Sequence, residues 1–546
     1  MTVPSSLSSA AQSSSALPPD SIFWGKNGEG DVLTQAQKDA WASAFKSQLQ
    51  EFDYEITDIE GQVPTGLKGS TLFRNGPSRF ERGNNRVGHY LDGDGYLSKI
   101  AFSPTGRVYF SSRFVETAEL RTEAAADTFC FRTTFGNPTA NPLNHLFDLC
   151  LKNPANTHVV LWGNKLLALY EAGAPYRIDP ETLATLGAET LNGELTNHPV
   201  PPSRLAALKR RSRGQQAMTA HPHIDPVTNR LVTWTWGVEV SAKGVQGLNI
   251  ELVEYDAQWQ PLSRMRHLLT GAAVNPHDFA LTPNYYIFFE NALRFSPLPY
   301  LLGLKSPAEC LKLLPKPTKV HLIPRPLGDR SLDSPITINT QQWFSIHQAC
   351  AWENPDGSVE IYSSGWPPSK GGFLTSWRGT APDFDAIAPT YLWHTRISPD
   401  SHTLTHRLAS GMASACIAHP HTSPTTETQP SQYLYMAYCN QIGESSPPTG
   451  YLKYNTRTHQ HQVWQSHPQN FAEEPLFVPN PAAADSAEDD GWLLALMYDY
   501  LKDRSALTIF DAKAIDRGPL CRLWFDHPLS HGLHGSWSDR YYGPYA

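Results

Sequence analysis

Histidine is the residue type most able to carry chemistry in this chain. The 546 residues include 21 histidines but only 7 cysteines, and no two cysteines form a Cys-x-x-Cys pair. A thiolate zinc site or a disulfide framework is therefore not indicated. Four histidines lie at strand-like or turn positions beside apolar and small residues: His221, His277, His347 and His534. Each alone is typical of a structural histidine, whereas four neutral imidazoles together suit iron, copper or zinc.

Two carboxylates inside apolar runs are candidate partners for such histidines. A metal-binding imidazole usually donates its outer N–H to an acceptor, which fixes the tautomer and raises the basicity of the ligand. Glu171 ends the apolar run 166–171, and Glu474 lies in the run 472–477. Each also fits an exposed charge at a strand end. The sequence lacks the standard motifs for phosphate binding, serine hydrolysis and zinc proteases.

The elements that must position these residues are short strands. Apolar or alternating runs of four to eight residues recur between Gly, Pro, Asn and Asp turns, which is typical of hairpins. A hairpin that ends in Asp or Asn recurs along the chain. It ends at Asp179 and again 77 residues later at Asp256, and it ends at Asn455 and again 56 residues later at Asp511. Spacings of about 56 and 77 residues match a four-stranded propeller blade with loops. We expect an all-β fold and favour a propeller, with a β-sandwich or two barrels as alternatives.

The spacing of the four histidines fits a propeller. They are separated by 56, 70 and 187 residues along the chain. Those intervals would place them on different blades. Because the inner strands of all blades converge on one axis, side chains so distant in sequence could meet there around a single metal.

The pattern divides the chain into three parts. Residues 1–33 are rich in Ser and Ala and predict a disordered tail, 34–52 predicts a helix with Trp41 and Phe45 on its apolar face, and 53–546 predicts one propeller domain. The net charge of -8 gives no footprint for a nucleic-acid partner. A signal peptide and an apolar run of 18 residues are absent, and the cysteine pattern fits a reducing compartment, so we expect a cytoplasmic location.

A series of short motifs extends from about residue 50 to the C-terminus. They include Phe73-Arg-Asn-Gly-Pro77, Leu91-Asp-Gly-Asp-Gly95, Ala155-Asn-Thr157, His277-Asp-Phe-Ala280, Glu473-Glu-Pro475 and Leu533-His-Gly-Ser-Trp537. In these motifs and in their order the chain resembles the carotenoid cleavage oxygenases, among them the cyanobacterial apocarotenoid 15,15'-oxygenases.

The resemblance implies a seven-bladed propeller with a lid of helices and loops over an axial metal site. It implies one Fe(II) per chain, held by the four histidines named above. Glu171 would be the partner of His277, and Glu474 the partner of His534. Thr157 would match the threonine that lies near the vacant coordination position in the family.

The resemblance further implies a dioxygenase that adds both atoms of O2 across a conjugated double bond. For an apocarotenoid cut centrally, at the 15,15' bond, the products are retinal or related carbonyl compounds. Stilbenoid cleavage is an alternative, but such enzymes use a Lys before the glutamate where this chain has Tyr170. A non-catalytic apocarotenoid-binding propeller and a zinc hydrolase are further alternatives.

Two departures from the family pattern lie near one ligand. Cys350 stands where the family usually has Asn, three residues after His347. The position of a third glutamate falls on Ser414, which is shorter and uncharged. We therefore expect the outer nitrogen of His347 to rely on water or on a backbone carbonyl. These departures also keep the binding-protein alternative open.

A carotenoid-like substrate is apolar and stored in membranes, so the enzyme must extract it. The segment Leu298–Leu314 combines an apolar cluster with Lys305 and Lys312, and it matches the membrane-facing segment of the family. It predicts peripheral membrane contact, with a buried lid helix as the alternative.

Overall fold

The computed structural model describes most of the chain. The described residues are 33–137, 142–148, 151–193, 195, 217–241, 244–367, 388–412, 415–439, 445–482 and 487–544. The predicted tail lies outside them, apart from Leu33, which is buried.

Strands dominate the described residues. In chain order they are β1 (Phe52–Ile56), β2 (Ile59–Gly61), β3 (Ser70–Arg79), β4 (Glu81–Arg82), β5 (Asn85–Arg86), β6 (Asp94–Phe102), β7 (Val108–Phe114), β8 (His158–Trp162), β9 (Lys165–Leu169), β10 (Tyr176–Ile178), β11 (Thr185–Ala188), β12 (Ala217–Met218), β13 (His223–Asp225), β14 (Arg230–Ser241), β15 (Gly244–Tyr255), β16 (Pro261–Thr270), β17 (Phe279–Leu281), β18 (Tyr285–Glu290), β19 (Leu293–Phe295), β20 (Leu311–Leu313), β21 (Lys319–Pro324), β22 (Ile336–Asn339), β23 (Phe344–Glu353), β24 (Val359–Trp366), β25 (Tyr391–Ser398), β26 (Thr403–Leu408), β27 (Ile417–His421), β28 (Tyr433–Cys439), β29 (Pro448–Asn455), β30 (His461–Gln465), β31 (Asn470–Ala472), β32 (Leu476–Pro479), β33 (Gly491–Asp499), β34 (Arg504–Asp511), β35 (Pro519–Trp524) and β36 (Gly535–Ser538).

The helices are short. They are α1 (Gln35–Ser43), α2 (Ala118–Ala126) and α3 (Pro297–Leu301), together with the 3-10 turns Thr65–Leu67, Tyr90–Asp92, Pro142–His145, Ala308–Cys310 and Ile515–Arg517.

The strands form seven antiparallel blades. From the axis outward, blade 1 is β36-β3-β6-β7-β1 and blade 2 is β8 to β11; blade 3 runs β12-β14-β15-β16 with β13 on β14. Blade 4 is β17-β18-β21-β22, blade 5 is β23 to β26 and blade 6 is β27 to β30. Blade 7 is β31-β33-β34-β35-β2 with β32 on β33. The predicted all-β propeller of seven blades is confirmed.

Both ends of the chain close the ring. β36 pairs with β3, with Ser538 opposite Thr71, and β2 pairs with β35, with Ile59 opposite Leu523. The inner strands adjoin their neighbours, since β8 contacts β36, β17 contacts β23, β23 contacts β27 and β32 contacts β36. The first strand of each blade therefore faces the axis.

The core lies between the blades. Strands β6, β18 and β24 are buried along their whole length, and β18 is a near-continuous apolar run in place of strict alternation. Between blades 7 and 1, Leu72 and Phe110 pack with Leu494 and Leu507. Burying each such side chain contributes about 1.5–3 kcal/mol. This packing holds the inner strands at fixed distances around the axis.

The N-terminal helix is shorter than the predicted 34–52. It spans Gln35–Ser43 and begins at a capping box formed by Thr34 and Gln37. Trp41 and Phe45 pack into a buried cluster that includes Phe471. The helix cannot continue to residue 52, because β1 starts there and pairs with β7 at the outer edge of blade 1.

A buried arginine, Arg132, connects two segments, 142–148 and 297–305, which we call the lid. Nη1 of Arg132 donates to the carbonyls of His145 and Asp148 at 3.4 and 2.6 Å, and Nη2 donates to those of Tyr300 and Lys305 at 2.7 and 2.6 Å. The guanidinium also lies over the Tyr300 ring, 3.8 Å from its centroid. One side chain therefore links the 142–148 segment to α3.

Part of the predicted membrane-contact segment is exposed. Leu298, Leu302 and Leu304 are 65%, 38% and 59% exposed, while Tyr300 between them is buried. The alternative of a wholly buried lid helix therefore does not describe this segment. Within the described ranges, no helix has the length and apolar character needed to cross a bilayer.

Candidate metal centre

Every blade brings at least one titratable side chain to its innermost strands. Seven of these side chains, one from each blade in order from blade 1 to blade 7, are His534, His158, His221, His277, His347, His419 and Glu474. The four histidines predicted from the sequence are among them and lie on four different blades, as their spacing predicts.

The four predicted histidines converge. Nε2 of His277 lies 3.1 Å from Nε2 of His221 and 3.3 Å from Nε2 of His347. One nitrogen from each of His221, His347 and His534 lies within 4.8 Å of the others. The rings of His347 and His534 are 5.1 Å apart between centroids. Side chains separated by up to 313 positions in the sequence therefore share one small volume.

Two of these imidazoles have carboxylate partners on their outer nitrogens. Nδ1 of His277 donates to Glu171 at 2.7 Å, and Nδ1 of His534 donates to Glu474 at 2.7 Å. Both are the pairings that the resemblance implies. Glu474 is the more buried carboxylate, and its second oxygen accepts from Nη1 of Arg74 at 2.8 Å. The proton of each paired ring is thus held on Nδ1, which leaves the Nε2 lone pair facing inward.

The electrostatics of the cluster follow from burial and these pairs. Burial lowers the pKa of His221 and His347 well below the usual value, and the neighbouring imidazoles lower it further. Burial acts the same way on His277, but Glu171 outweighs it and raises the pKa. For Glu474, burial raises the pKa, while His534 and Arg74 hold it well below the usual range.

The donor set fits a divalent transition metal. The Nε2 lone pair of His277 is directed inward, and the Nε2 atoms of His221 and His347 lie 3.1 and 3.3 Å from it, where the three nitrogens can bind one cation. Metal–nitrogen bonds of about 2.0–2.1 Å place neighbouring ligand nitrogens roughly 3 Å apart. Neutral imidazoles alone do not distinguish iron from copper or zinc.

His347 differs from the two paired ligands. None of the described residues places a carboxylate within hydrogen-bond distance of its ring, and Ser414 lies outside the described part of the chain. Its ring instead lies 5.4 Å from that of His419, which is also 5.2 Å from His534. Cys350 points into an apolar cluster and is buried, which raises the pKa of its thiol.

Thr157 immediately precedes β8. Its carbonyl accepts from the backbone N–H of His534 at 3.3 Å, and its hydroxyl donates to Asn156 at 3.3 Å. The predicted residue is therefore joined through its backbone to one of the four histidines.

Sequence reasoning missed several residues around the cluster. His158 contacts the carbonyls of Ala220 and Gly535 at 2.9 and 3.2 Å, and these two residues directly adjoin His221 and His534 in the sequence. His419 was passed over as well. A signal for it exists, because Ala-His-Pro-His occurs twice, at 220–223 and at 418–421. The two copies lie at inner edges of blades 3 and 6.

Another histidine, His223, contacts two carboxylates. Nε2 of His223 contacts Asp278 at 3.2 Å and Nδ1 contacts Glu427 at 3.0 Å. Burial lowers the pKa of His223, but the two carboxylates outweigh burial and raise it to about 10. This ring is therefore a buried cation between two anions.

Comparisons with known proteins agree with this geometry. The family model described as retinal pigment epithelial membrane protein matches residues 45–539. The apocarotenoid-15,15'-oxygenase of Synechocystis is 35% identical over 505 residues, which cover 91% of this chain and 96% of that protein. Carotenoid cleavage dioxygenase 7 of rice is 26% identical over 94% of this chain and 93% of its own length.

A solved structure shows the same fold. The crystal structure of cobalt-substituted Synechocystis apocarotenoid oxygenase has a TM-score of 0.81 and 34% identity, covering 92% of this chain and 98% of that one. The curated relatives are named as oxygenases, which confirms the enzyme class predicted from the motifs. The chain therefore belongs to the family of the retinal pigment epithelial membrane protein and the carotenoid cleavage oxygenases.

Proposed function

We propose that this protein is a non-haem iron(II) dioxygenase that cleaves a conjugated double bond of an apocarotenoid, at the central 15,15' position. The observation that carries the proposal is the convergence of four imidazoles, two of which have their protons held outward by Glu171 and Glu474. This donor set would hold one Fe(II) per chain.

The balance of the reaction is simple. One C=C bond and one O2 give two C=O groups, so no further reductant and no leaving group are needed. Fe(II), when bound, would supply the activation of O2. The protein holds the imidazoles of His277 and His534 in one tautomer, and it needs no acid or base among its own side chains. Thr157, which immediately precedes β8 and is bonded through its carbonyl to the N–H of His534, would restrict access to the reacting position.

A phenolic stilbenoid is the rival substrate. Cleavage of such a substrate requires a group that binds the phenol oxygen, and the corresponding position is Tyr170. Its hydroxyl is buried and hydrogen-bonded to Thr134. A neutral hydroxyl that already has a partner is a poor substitute for a lysine, and the apolar apocarotenoid is therefore the better fit.

Peripheral membrane contact would deliver this substrate. Leu298, Leu302 and Leu304 expose apolar surface on the lid beside Lys305. Exposed leucines next to a basic residue favour the interface of an anionic bilayer.

The test is product analysis with purified protein loaded with Fe(II). We expect about one iron per chain and carbonyl products from apocarotenals under air, none under nitrogen, and incorporation of both atoms of ¹⁸O2. His534→Ala should lose iron and activity. His321→Ala removes a buried histidine of blade 4 that pairs with Glu290 and is the matched control.

Other outcomes would point elsewhere. If the protein cleaves stilbenoids and no apocarotenoid, its substrate is a stilbenoid and the proposed substrate class is wrong. Turnover under nitrogen would indicate a hydrolase. Iron binding without any carbonyl product would indicate a binding protein.

A further inference from the structure

We propose that Asp278, held by His223, is a positioning residue that fixes His347 in the metal centre through the backbone of Gln348. This inference rests on the proposed metal centre and concerns how this chain supports His347, the proposed ligand for which the described residues supply no carboxylate partner.

Asp278 connects two ligand-bearing blades. It directly follows His277 in blade 4, and its Oδ2 accepts from the backbone N–H of Gln348 in blade 5 at 2.7 Å. Its Oδ1 accepts from the N–H of Phe279 at 2.7 Å and lies 3.2 Å from Nε2 of His223. Asp278 is buried, so these bonds are shielded from water. Charge-assisted bonds of this kind are about twice as strong as neutral ones.

The backbone around His347 needs such an anchor. The pairing of β23 with β24 is irregular on both sides of this residue, between Ser345 and His347 and again between Gln348 and Cys350. Irregular pairing of this kind bends a strand and re-aims its side chains. The ladder between the two irregularities is short, and the direction of the His347 ring therefore depends on contacts outside the sheet.

The side chain of Gln348 is fixed as well. Its Nε2 donates to Oγ of Ser345 at 2.7 Å, and its Oε1 accepts from Oγ of Ser363 at 2.6 Å. With its N–H on Asp278, Gln348 is held at three points. The residue next to His347 therefore cannot rotate freely, and the ring is held with it.

His223 orients the carboxylate of Asp278. His223 lies two residues after His221 in blade 3. Its other ring nitrogen, Nδ1, contacts Glu427, which follows β27 of blade 6. The chain of contacts from Glu427 through His223 and Asp278 to Gln348 spans four blades. Three of those blades carry a ligand histidine. The network thus sets the spacing of His221, His277 and His347.

The contact of Asp278 with Gln348 would take the place of a carboxylate partner for His347. His277 and His534 are oriented through their outer nitrogens by carboxylates, whereas the described residues supply no carboxylate to His347. Support of a ligand by a neighbouring group typically changes metal affinity about 10- to 100-fold. In this chain the support would act on the backbone beside the ring.

The test uses Co²⁺ as the probe, in competition with a chelator, on the full chain. The variants are Asp278→Asn, His223→Gln and their combination, with Glu427→Gln as a third single change that leaves the axis untouched. His321→Gln is the matched control, since it removes a buried histidine–carboxylate pair of blade 4 that is remote from this network. Thermal unfolding of each apoprotein is measured in parallel.

We expect Asp278→Asn and His223→Gln to weaken Co²⁺ binding about 10- to 100-fold and to change the visible absorption of bound Co²⁺. The combined variant should lose little more than Asp278→Asn alone, because His223 acts through that carboxylate. His321→Gln should lower the unfolding temperature without changing Co²⁺ affinity or spectrum.

Co²⁺ affinity and spectrum unchanged in both single variants would overturn the inference, whatever their unfolding temperatures. Should Asp278→Asn fail to fold, His223→Gln and Glu427→Gln decide by the same criterion. If the unaltered chain binds no Co²⁺, the metal centre itself is refuted and the inference with it.

Discussion

Glu474 lies between two hydrogen-bond donors: Oε1 accepts from Nδ1 of His534 at 2.7 Å, and Oε2 accepts from Nη1 of Arg74 at 2.8 Å. All three side chains are buried. The arginine keeps the carboxylate charged, and the charged carboxylate makes the opposite ring nitrogen a better donor to a metal. The pair His277–Glu171 has the same geometry at a more exposed place, with about a quarter of each side chain accessible.

This difference predicts unequal effects of neutralising the two glutamates. We expect Glu474→Gln to weaken Fe(II) or Co²⁺ binding about 10- to 100-fold, and Glu171→Gln to weaken it less, because solvent can partly replace the lost partner. Chelator competition measures both affinities. A larger loss in Glu171→Gln than in Glu474→Gln would contradict the burial argument.

The fold and the convergence of the four histidines were predictable because each depends on visible sequence signals. Hairpin turns and apolar runs indicate blades, and His221, His277, His347 and His534 occur beside small residues at separations that place them on different blades. The prediction for the N-terminal helix is too long, since the helix ends at Ser43, and residue 52 already belongs to β1, whose pairing with β7 is a contact between distant parts of the sequence.

The supporting contacts of the site were only partly predictable. Glu171 and Glu474 are carboxylates in apolar runs, which is a visible anomaly. Asp278 and His223 are not anomalous in the sequence, because their meaning depends on a contact between blades 3 and 4. His419 could have been found from the repeated Ala-His-Pro-His motif, but its proximity to His347 depends on the closure of the ring.

Acid should destabilise the protein through His531. This ring is buried against Trp41 and Phe45, and no described residue makes a hydrogen bond to its Nδ1. Burial, and then the charge of Arg74, lower its pKa to about 3. Between the unfolded value of about 6.5 and 3, the unfolded state binds one more proton than the folded state, so stability falls as the pH falls.

His531→Phe should remove that dependence. One proton corresponds to about 1.4 kcal/mol of unfolding free energy per pH unit, so denaturation curves of the variant between about pH 6 and 4 should show a slope smaller by up to that amount. At pH 8 the two proteins should differ little in slope. An unchanged slope in the variant would show that His531 does not titrate on unfolding.

Arg132→Lys should loosen the lid without unfolding the propeller. Lysine has a single nitrogen and cannot serve the four carbonyls of 145, 148, 300 and 305. Leaving a buried carbonyl without a donor costs about 1–3 kcal/mol. Hydrogen exchange should quicken at the N–H of Phe147, which donates to Leu301, by about tenfold or more.

Arg325→Lys is the matched control, because it alters a buried arginine outside the lid. Arg325 is a buried arginine that contacts Glu254 and Asp225 between blades 3 and 4. Arg325→Lys should alter exchange in those blades and spare Phe147. Equal acceleration at Phe147 in both variants would mean that the lid follows global stability.

The exposed leucines of the lid should determine membrane binding. Replacing Leu298, Leu302 and Leu304 by Ser removes the apolar surface that the structure exposes beside Lys305. Burying a leucine side chain in an apolar environment contributes about 1.5–3 kcal/mol, so the triple variant should sediment with anionic liposomes at least tenfold more weakly.

Leu332 is 99% exposed outside this segment, and Leu332→Ser is the control. Because these leucines lie on the lid and not among the ligand histidines, cleavage of a detergent-solubilised apocarotenal should be unchanged, while cleavage of the same compound in liposomes should slow. Unchanged liposome binding in the triple variant would refute this role for the segment.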